Sequence, residues 1–176
     1  MTRDFMPVGI AVITISDTRT LADDKSGDTL AGRIQAAGHR LIDRLIVIDD
    51  VRQIRAAVRK LVRRQDVDVI ISTGGTGLTG RDVTIEAMRP LFDKEIEGFG
   101  VVFHMISYAK IKTSTMQSRA TAGVVDGTYV FCLPGSPGAC RDGWDEILVH
   151  QLDYRHPPCN FIEIMPRLDE HLRRKA

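Results

Sequence analysis

Three short runs in this chain are apolar, and mostly β-branched, at nearly every consecutive position: VGIAVITI at 8–15, RLIVI at 44–48 and VDVIIS at 67–72. A strand with one wet face alternates apolar and polar side chains, so unbroken runs of this kind need cover on both faces, which a parallel sheet obtains from its crossover helices. Segments with helical spacing stand between them. Leu30, Ile34 and Ala37 recur at that spacing over 28–37 before Gly38, a residue suited to a left-handed C-cap. Ile54, Ala57, Val58, Leu61 and Val62 form one apolar stripe on the next helix, whose other face carries Arg52, Arg55, Arg59 and Arg63 and reads as solvated. Further helices are expected over 84–91, 96–111 and 140–151, and the segments 122–127 and 128–133, joined by Asp126-Gly127, read as a hairpin or as two strands. The alternation predicts a doubly wound α/β fold with a single three-layer core.

The 176 residues suit one domain, 1–176, large enough to bury a core without disulfide or metal staples. Only the basic tail at 166–176, with Arg173, Arg174 and Lys175, reads as loosely held. With 24 Lys and Arg against 23 Asp and Glu there is no net field to gather nucleic acid or an anionic membrane, so neither is expected as a partner. Cys132, Cys140 and Cys159 are odd in number and lack C-x-x-C spacing, which points to reduced thiols and a cytoplasmic location. The apolar stretch 5–15 follows Asp4 and contains Pro7 and Gly9, so it reads as a buried first strand and not a secretory leader. No run approaches the length of a membrane span.

The third strand leads directly into TGGTGLTG at 73–80. Gly75 to Gly80 matches the G-x-G-x-x-G of dinucleotide sites, but that fingerprint belongs to a first βα turn and wants an acidic residue about 20 positions on, at the end of the next strand; Glu95 and Glu97 instead precede a helix. The same glycines begin a near-Walker pattern that fails at Arg81-Asp82, where a P-loop needs Lys and Ser or Thr. What survives is a strand end whose amides can line an anion. Asp82 beside bound phosphate makes sense with a divalent cation between them, and Asp49, at the end of the second strand, is a candidate second carboxylate. A turn or N-cap role for Asp82 remains open at this point. Asp50 with Gln53 resembles a capping box, which leaves Asp49 free. PGSPG at 134–138 is a second strand-to-helix loop, where Ser136 as N-cap with Pro137 at N1 and an anion-binding role fit equally well. Ser16 and Asp17 follow the first strand at the same edge. The histidines and cysteines show no zinc spacing, His104 reads as a packed helix residue, and there is no nucleophile elbow. Such a site suits substrates that bring their own nucleophile.

Thr73-Gly74-Gly75-Thr76-Gly77, then RDVT at 81–84 and PGSP at 134–137, resemble the molybdopterin-binding domain family, which includes the molybdopterin adenylyltransferases. EGFG at 97–100, STMQSRA at 114–120 and PCNF at 158–161 are similar to its branch called molybdenum cofactor biosynthesis protein B. The resemblance runs over about 8–161. Gly80 and Ile85 depart from it, since proline is common at both places in relatives. The resemblance implies a Rossmann-like three-layer fold, a homotrimer or homohexamer, and Mg²⁺-dependent adenylylation of molybdopterin by ATP, with a molybdenum-insertion enzyme as a possible partner. A non-catalytic molybdopterin-binding or assembly role is the alternative. It further implies that Gly74, Gly75, Thr76 and Gly77, with Thr73 before them, cradle phosphate and that Asp49 and Asp82 hold Mg²⁺. Pro134, Gly135 and Ser136 would then line the pterin or nucleotide crevice, with Ser16, Ser26 and Gly27 nearby. Arg119 would neutralise a phosphate or form a structural ion pair.

Overall fold

The computed structural model of the chain describes residues 3–173. In chain order the main elements are β1 (Gly9–Ile15), α1 (Lys25–Ala36), β2 (Arg40–Val47), α2 (Val51–Val62), β3 (Val69–Thr73) and α3 (Thr84–Met88), then β4 (Lys94–Glu95), α4 (Glu97–Ile111), β5 (Thr121–Val125), β6 (Thr128–Leu133) and α5 (Pro137–Gly143). They build one six-stranded sheet in the order β2-β1-β3-β6-β5-β4. β2, β1, β3 and β6 run parallel. The hairpin partner β5 is antiparallel to β6, and its turn residues Asp126 and Gly127 both take positive φ, as a two-residue hairpin turn requires.

Alternation along the strands divides the core into two layers. Ile10, Val12, Val69, Ile71 and Phe131 meet Leu30, Ile34, Phe99, Phe103 and Trp144 from α1, α4 and the helix that begins with α5. Ala11, Ile13, Ile70 and Val130 point the other way, onto Ile54, Val58 and Leu61 of α2 and Met88 of α3. Each fully buried aliphatic or aromatic side chain contributes about 1.5–3 kcal/mol, so this core holds without cross-links, and all three cysteines are free.

The helices expected from spacing are present, with boundaries moved for identifiable reasons. α1 starts at Lys25, ahead of the apolar stripe, because Asp24 caps it by accepting from the Gly27 amide. β2 extends back to Arg40: as an edge strand it is only partly covered and tolerates Arg40 and Asp43. The last long helix begins at Pro137 with Ser136 as its cap, then continues through a π-helical turn at Trp144–Leu148 to Val149–Gln151. β4 was not legible, being two charged residues on the opposite edge. Met165 and Leu168 pack against the core, while Arg174 and Lys175 of the expected loose tail lie outside the described residues. Among the described residues no helix is long and apolar enough to cross a membrane.

Register sets the position of the site. Thr14 lies opposite Thr73, Thr73 opposite Leu133, and Ile15 opposite Val47, so four parallel strands finish along one edge. The chain leaves β1 toward β2 on one side and enters β3 on the other, which makes β1/β3 the switch point where open α/β sheets form a ligand crevice.

Candidate functional site at the carboxyl edge of the sheet

Four loops meet at this edge, and glycine is what lets them. Gly74 has φ +101°, and a Cβ there would stand 2.2 Å from the Ile15 carbonyl oxygen, so the loop after β3 passes hard against the end of β1. Gly75 has φ +64°, and a Cβ on it would stand 2.3 Å from Thr84 Oγ1 and 2.8 Å from Asp49 Oδ1. The Asp49 carboxylate therefore rests over the Gly75 backbone, in space any side chain would fill. Thr84 anchors the loop from beneath: its hydroxyl donates to the Gly74 carbonyl at 2.8 Å and its amide to the Gly75 carbonyl at 3.0 Å. Gly135 approaches from β6, where a Cβ would lie 3.2 Å from the Gly74 Cα.

The two candidate metal-binding carboxylates flank the same glycine loop, Asp49 at Gly75 and Asp82 at Gly77, in unequal settings. Asp82 accepts from the Thr79 hydroxyl at 2.6 Å and the Thr79 amide at 2.9 Å, both through Oδ2. Those bonds, helped by the Gly77 amide and the charge of Arg119, hold its carboxyl below the ordinary range. The N-cap of α3 is Val83, so Asp82 is a turn residue with its second oxygen unclaimed by the helix. Asp49 receives no side-chain hydrogen bond from the described residues, and burial followed by the nearby charge of Asp82 pushes its carboxyl up. Asp50, as expected, caps α2 through the Gln53 amide at 2.9 Å. Two carboxylates on one glycine loop, near enough for the charge of one to act on the other and one of them without a donor, fit a hard divalent cation, which takes one or two carboxylates plus phosphate oxygens. No larger group of metal-ligating side chains occurs among the described residues.

Among the described residues the thiols and imidazoles near this edge are not activated as nucleophiles, and the serine and threonine hydroxyls tie the loops together. Cys140 contacts the Thr73 hydroxyl at 3.1 Å, but burial raises its thiol to about 11, and Cys132 lies deeper at about 12. His104 is a packed helix residue, bonded to the Gly100 and Ser118 carbonyls. Glu95, considered for a dinucleotide ribose, sits on edge strand β4 in an ion pair with Arg89.

A family model described as "Probable molybdopterin binding domain" matches residues 11–154. The chain belongs to this molybdopterin-binding family. It is 49% identical over 158 residues to molybdenum cofactor biosynthesis protein B of Escherichia coli K12, covering 90% of this chain and 93% of the relative. The Bacillus subtilis protein of the same name is 42% identical over 142 residues, 80% of this chain and 84% of its own. Among solved structures, a molybdenum cofactor biosynthesis protein B superposes with a TM-score of 0.82 at 40% identity, covering 98% and 99% of the two chains. The tungsten cofactor synthesizing protein MoaB from Pyrococcus furiosus gives 0.76 at 34% identity, covering 93% of this chain and 98% of that one. The domain thus has a role in molybdenum cofactor biosynthesis.

Within this molybdopterin-binding domain several residues read from the sequence hold the loops in place. Arg119 donates to the carbonyls of Gly77 at 2.9 Å, Thr76 at 3.3 Å and Asp82 at 3.1 Å, and ion-pairs with Glu86. Its guanidinium is thereby committed to fixing the 76–82 loop. Ser16 accepts from the amides of Thr18 and Arg19, shaping the turn after β1. Ser26 donates to the Gly135 carbonyl at 2.8 Å and accepts from Arg19, and the Thr73 hydroxyl donates to the Pro134 carbonyl at 2.8 Å, so the second glycine loop is tied to both α1 and β3. Ser136 caps α5, accepting from the Ala139 amide at 3.1 Å. Arg55, on the basic face of α2, closes the end of α3 by donating to the Glu86 and Ala87 carbonyls.

Two acidic residues to which the sequence assigned no role prove central. Asp17 accepts from the Asp49 amide at 3.1 Å and pairs with Arg81, joining three loops. Asp24 is completely buried; its carboxylate accepts from the Thr14 hydroxyl at 2.6 Å, the Gly27 amide at 2.9 Å and Arg44 at 3.0 Å. Gly27 is required beside it, since a Cβ there would stand 2.0 Å from Asp24 Oδ2. Burial alone would raise the Asp24 carboxyl, but Thr14, Gly27 and Arg44 together hold it below its ordinary value. The stabilisation is therefore complete above the unfolded-state value of about 3.9 and is lost as pH falls through the depressed folded value. Asp24→Asn is expected to lower unfolding stability by about 3 kcal/mol in denaturant titrations at pH 7, because Arg44 loses its buried partner, and the deficit should shrink below about pH 4.

Proposed function

We propose that this domain is a Mg²⁺-dependent molybdopterin adenylyltransferase. The observation that supports the reading best is the pairing of Asp49 and Asp82 above the Gly74–Gly77 loop in a crevice without an enzymic nucleophile. In the proposed reaction an oxygen of the terminal phosphate on the pterin side chain attacks the α-phosphorus of ATP. The bond to the β-phosphate breaks and pyrophosphate leaves with the electron pair. An attacking phosphate is already anionic near neutral pH, so the site needs no general base, and alignment with charge neutralisation accounts for catalysis.

Each residue then has a defined duty. The amides of Gly75 and Thr76 cradle nucleotide phosphate, the Gly77 amide supports Asp82, and Arg119 keeps the loop aimed. Asp49 and Asp82 would hold Mg²⁺, which supplies positive charge against the phosphate oxygens. Pro134, Gly135 and Ser136 line the far wall, where the pterin is placed. The neutral overall charge and free thiols agree with a cytoplasmic enzyme that acts on small molecules.

Self-association belongs to the same proposal. Val101, Met105, Tyr108 and Met116 expose an apolar face along α4 and the turn after it, with Met105 68% and Met116 73% accessible, over a shallow depression of about 610 Å³. A patch of this kind is unusual on a monomer, and a symmetric homotrimer or homohexamer would cover it. Light scattering on the purified protein is expected to give three or six times 19.6 kDa, and Met105→Asp should shift the mass downward. A monomeric wild type would remove this part of the proposal.

Single-turnover reaction of molybdopterin with ATP and Mg²⁺ tests the chemistry. Wild type is expected to form adenylylated pterin and pyrophosphate. Asp82→Asn should reduce the rate at least a hundredfold while keeping the wild-type circular dichroism. Ligand binding without product from wild type would instead favour the non-catalytic assembly role.

A further inference from the structure

Between the last turn of α4 and the first turn of α5 lies a cavity of about 290 Å³, whose polar lining comes from Ser107, Lys110, Ser136, Arg141 and Asp142. It opens beside the Ser136 loop, on the side of the sheet opposite to Asp49 and Asp82. Lys110 and Asp142 neutralise each other at 2.5 Å. Arg141 makes no ion pair or hydrogen bond with the described residues, and its guanidinium folds back over Gly138, 3.7 Å from where a Cβ would stand. Ser107 is 7% exposed, lines the cavity, and makes no hydrogen bond through its hydroxyl to the described residues. One uncompensated guanidinium, the hydroxyl of a largely buried serine with no bonding partner among the described residues, and one cap hydroxyl line a space below the range typical of pockets for drug-sized ligands.

We infer that this cavity is a phosphate subsite, in which Arg141 and Ser107 bind a phosphoryl group of the ligand whose other anionic end lies at the carboxylate pair. A guanidinium presents paired donors matched to phosphate oxygens, and such charge-assisted bonds are the strong class. Gly135, which closes on Gly74 at the strand-end crevice, directly precedes the cap residue Ser136 that lines the cavity. Lys110 with Asp142 walls the subsite and leaves its net charge at one positive, suited to an anion. The inference rests on the reading of the strand-end crevice as the ligand site, and not on the transfer reaction. Two sources offer the same chemistry, the polyphosphate of a nucleotide and the phosphomonoester of the pterin.

Calorimetric titration with inorganic phosphate, in EDTA and without nucleotide, tests it directly. Wild type is expected to bind saturably, Arg141→Gln at least tenfold more weakly, and Ser107→Ala several-fold more weakly, while Asp82→Asn is not weakened. Arg141 has no structural partner, so its variant should unfold at the wild-type temperature. Absence of phosphate binding to wild type, or equal binding by Arg141→Gln, overturns the inference whether or not adenylylated product is ever observed. ATP titrations identify the source: a parallel loss in Arg141→Gln assigns the subsite to nucleotide phosphate, and unchanged ATP binding beside weakened phosphate binding assigns it to the phosphomonoester.

Discussion

Two like charges, Asp49 and Asp82, are brought together above a floor that only glycine can provide. The close approach of Asp49 to the Gly75 backbone means that a methyl group there would expel the carboxylate. Mutual repulsion in a partly buried place costs stability, and the chain sustains it because each carboxylate is fixed by a different device. Asp82 is held by the Thr79 turn and the Arg119 brace, and Asp49 is set by the end of β2 and the hold of Asp17 on its amide. Unfavourable electrostatics retained in this way are what the proposed binding of a cation together with an anion would relieve.

The braces behind the site explain why so many polar residues are buried at one edge of the sheet. Asp24 draws α1, β1 and β2 together through Gly27, Thr14 and Arg44. Ser26 and Thr73 carry the restraint on to the loop after β6. Glycine supplies close approach, and hydroxyls and carboxylates supply the hydrogen bonds that loops crossing so tightly cannot make among themselves. The crevice is thereby built before any ligand arrives, which favours binding with little ordering cost.

Much of this was legible in the sequence. Unbroken β-branched runs identified the parallel strands because burial on both faces leaves no polar positions, and Asp50 announced itself as a cap by its spacing to Gln53, whereas Ser136 fitted a cap or an anion-binding role equally until the fold showed it capping α5. Family resemblance, not spacing, singled out Ser26, Gly27 and Arg119. Edge strands escaped because β4 is short and charged and the start of β2 is polar. Asp17 was placed at this edge without its partners, and Asp24 escaped as an individual residue, because these carboxylates are recognised by partners 10 to 64 positions away, Thr14, Arg44 and Arg81, and no local pattern encodes such pairings. The direction in which the Arg119 guanidinium points was likewise settled only by the fold.

The central claim is that Asp49 and Asp82 form one cation site. Titration of Mn²⁺ as a spectroscopic stand-in for Mg²⁺, followed by electron paramagnetic resonance without nucleotide, tests it most directly. The account predicts one saturable site per chain, weakened at least tenfold in both Asp49→Asn and Asp82→Asn. A wild type without a saturable site, or one whose affinity is unchanged in either variant, would contradict it.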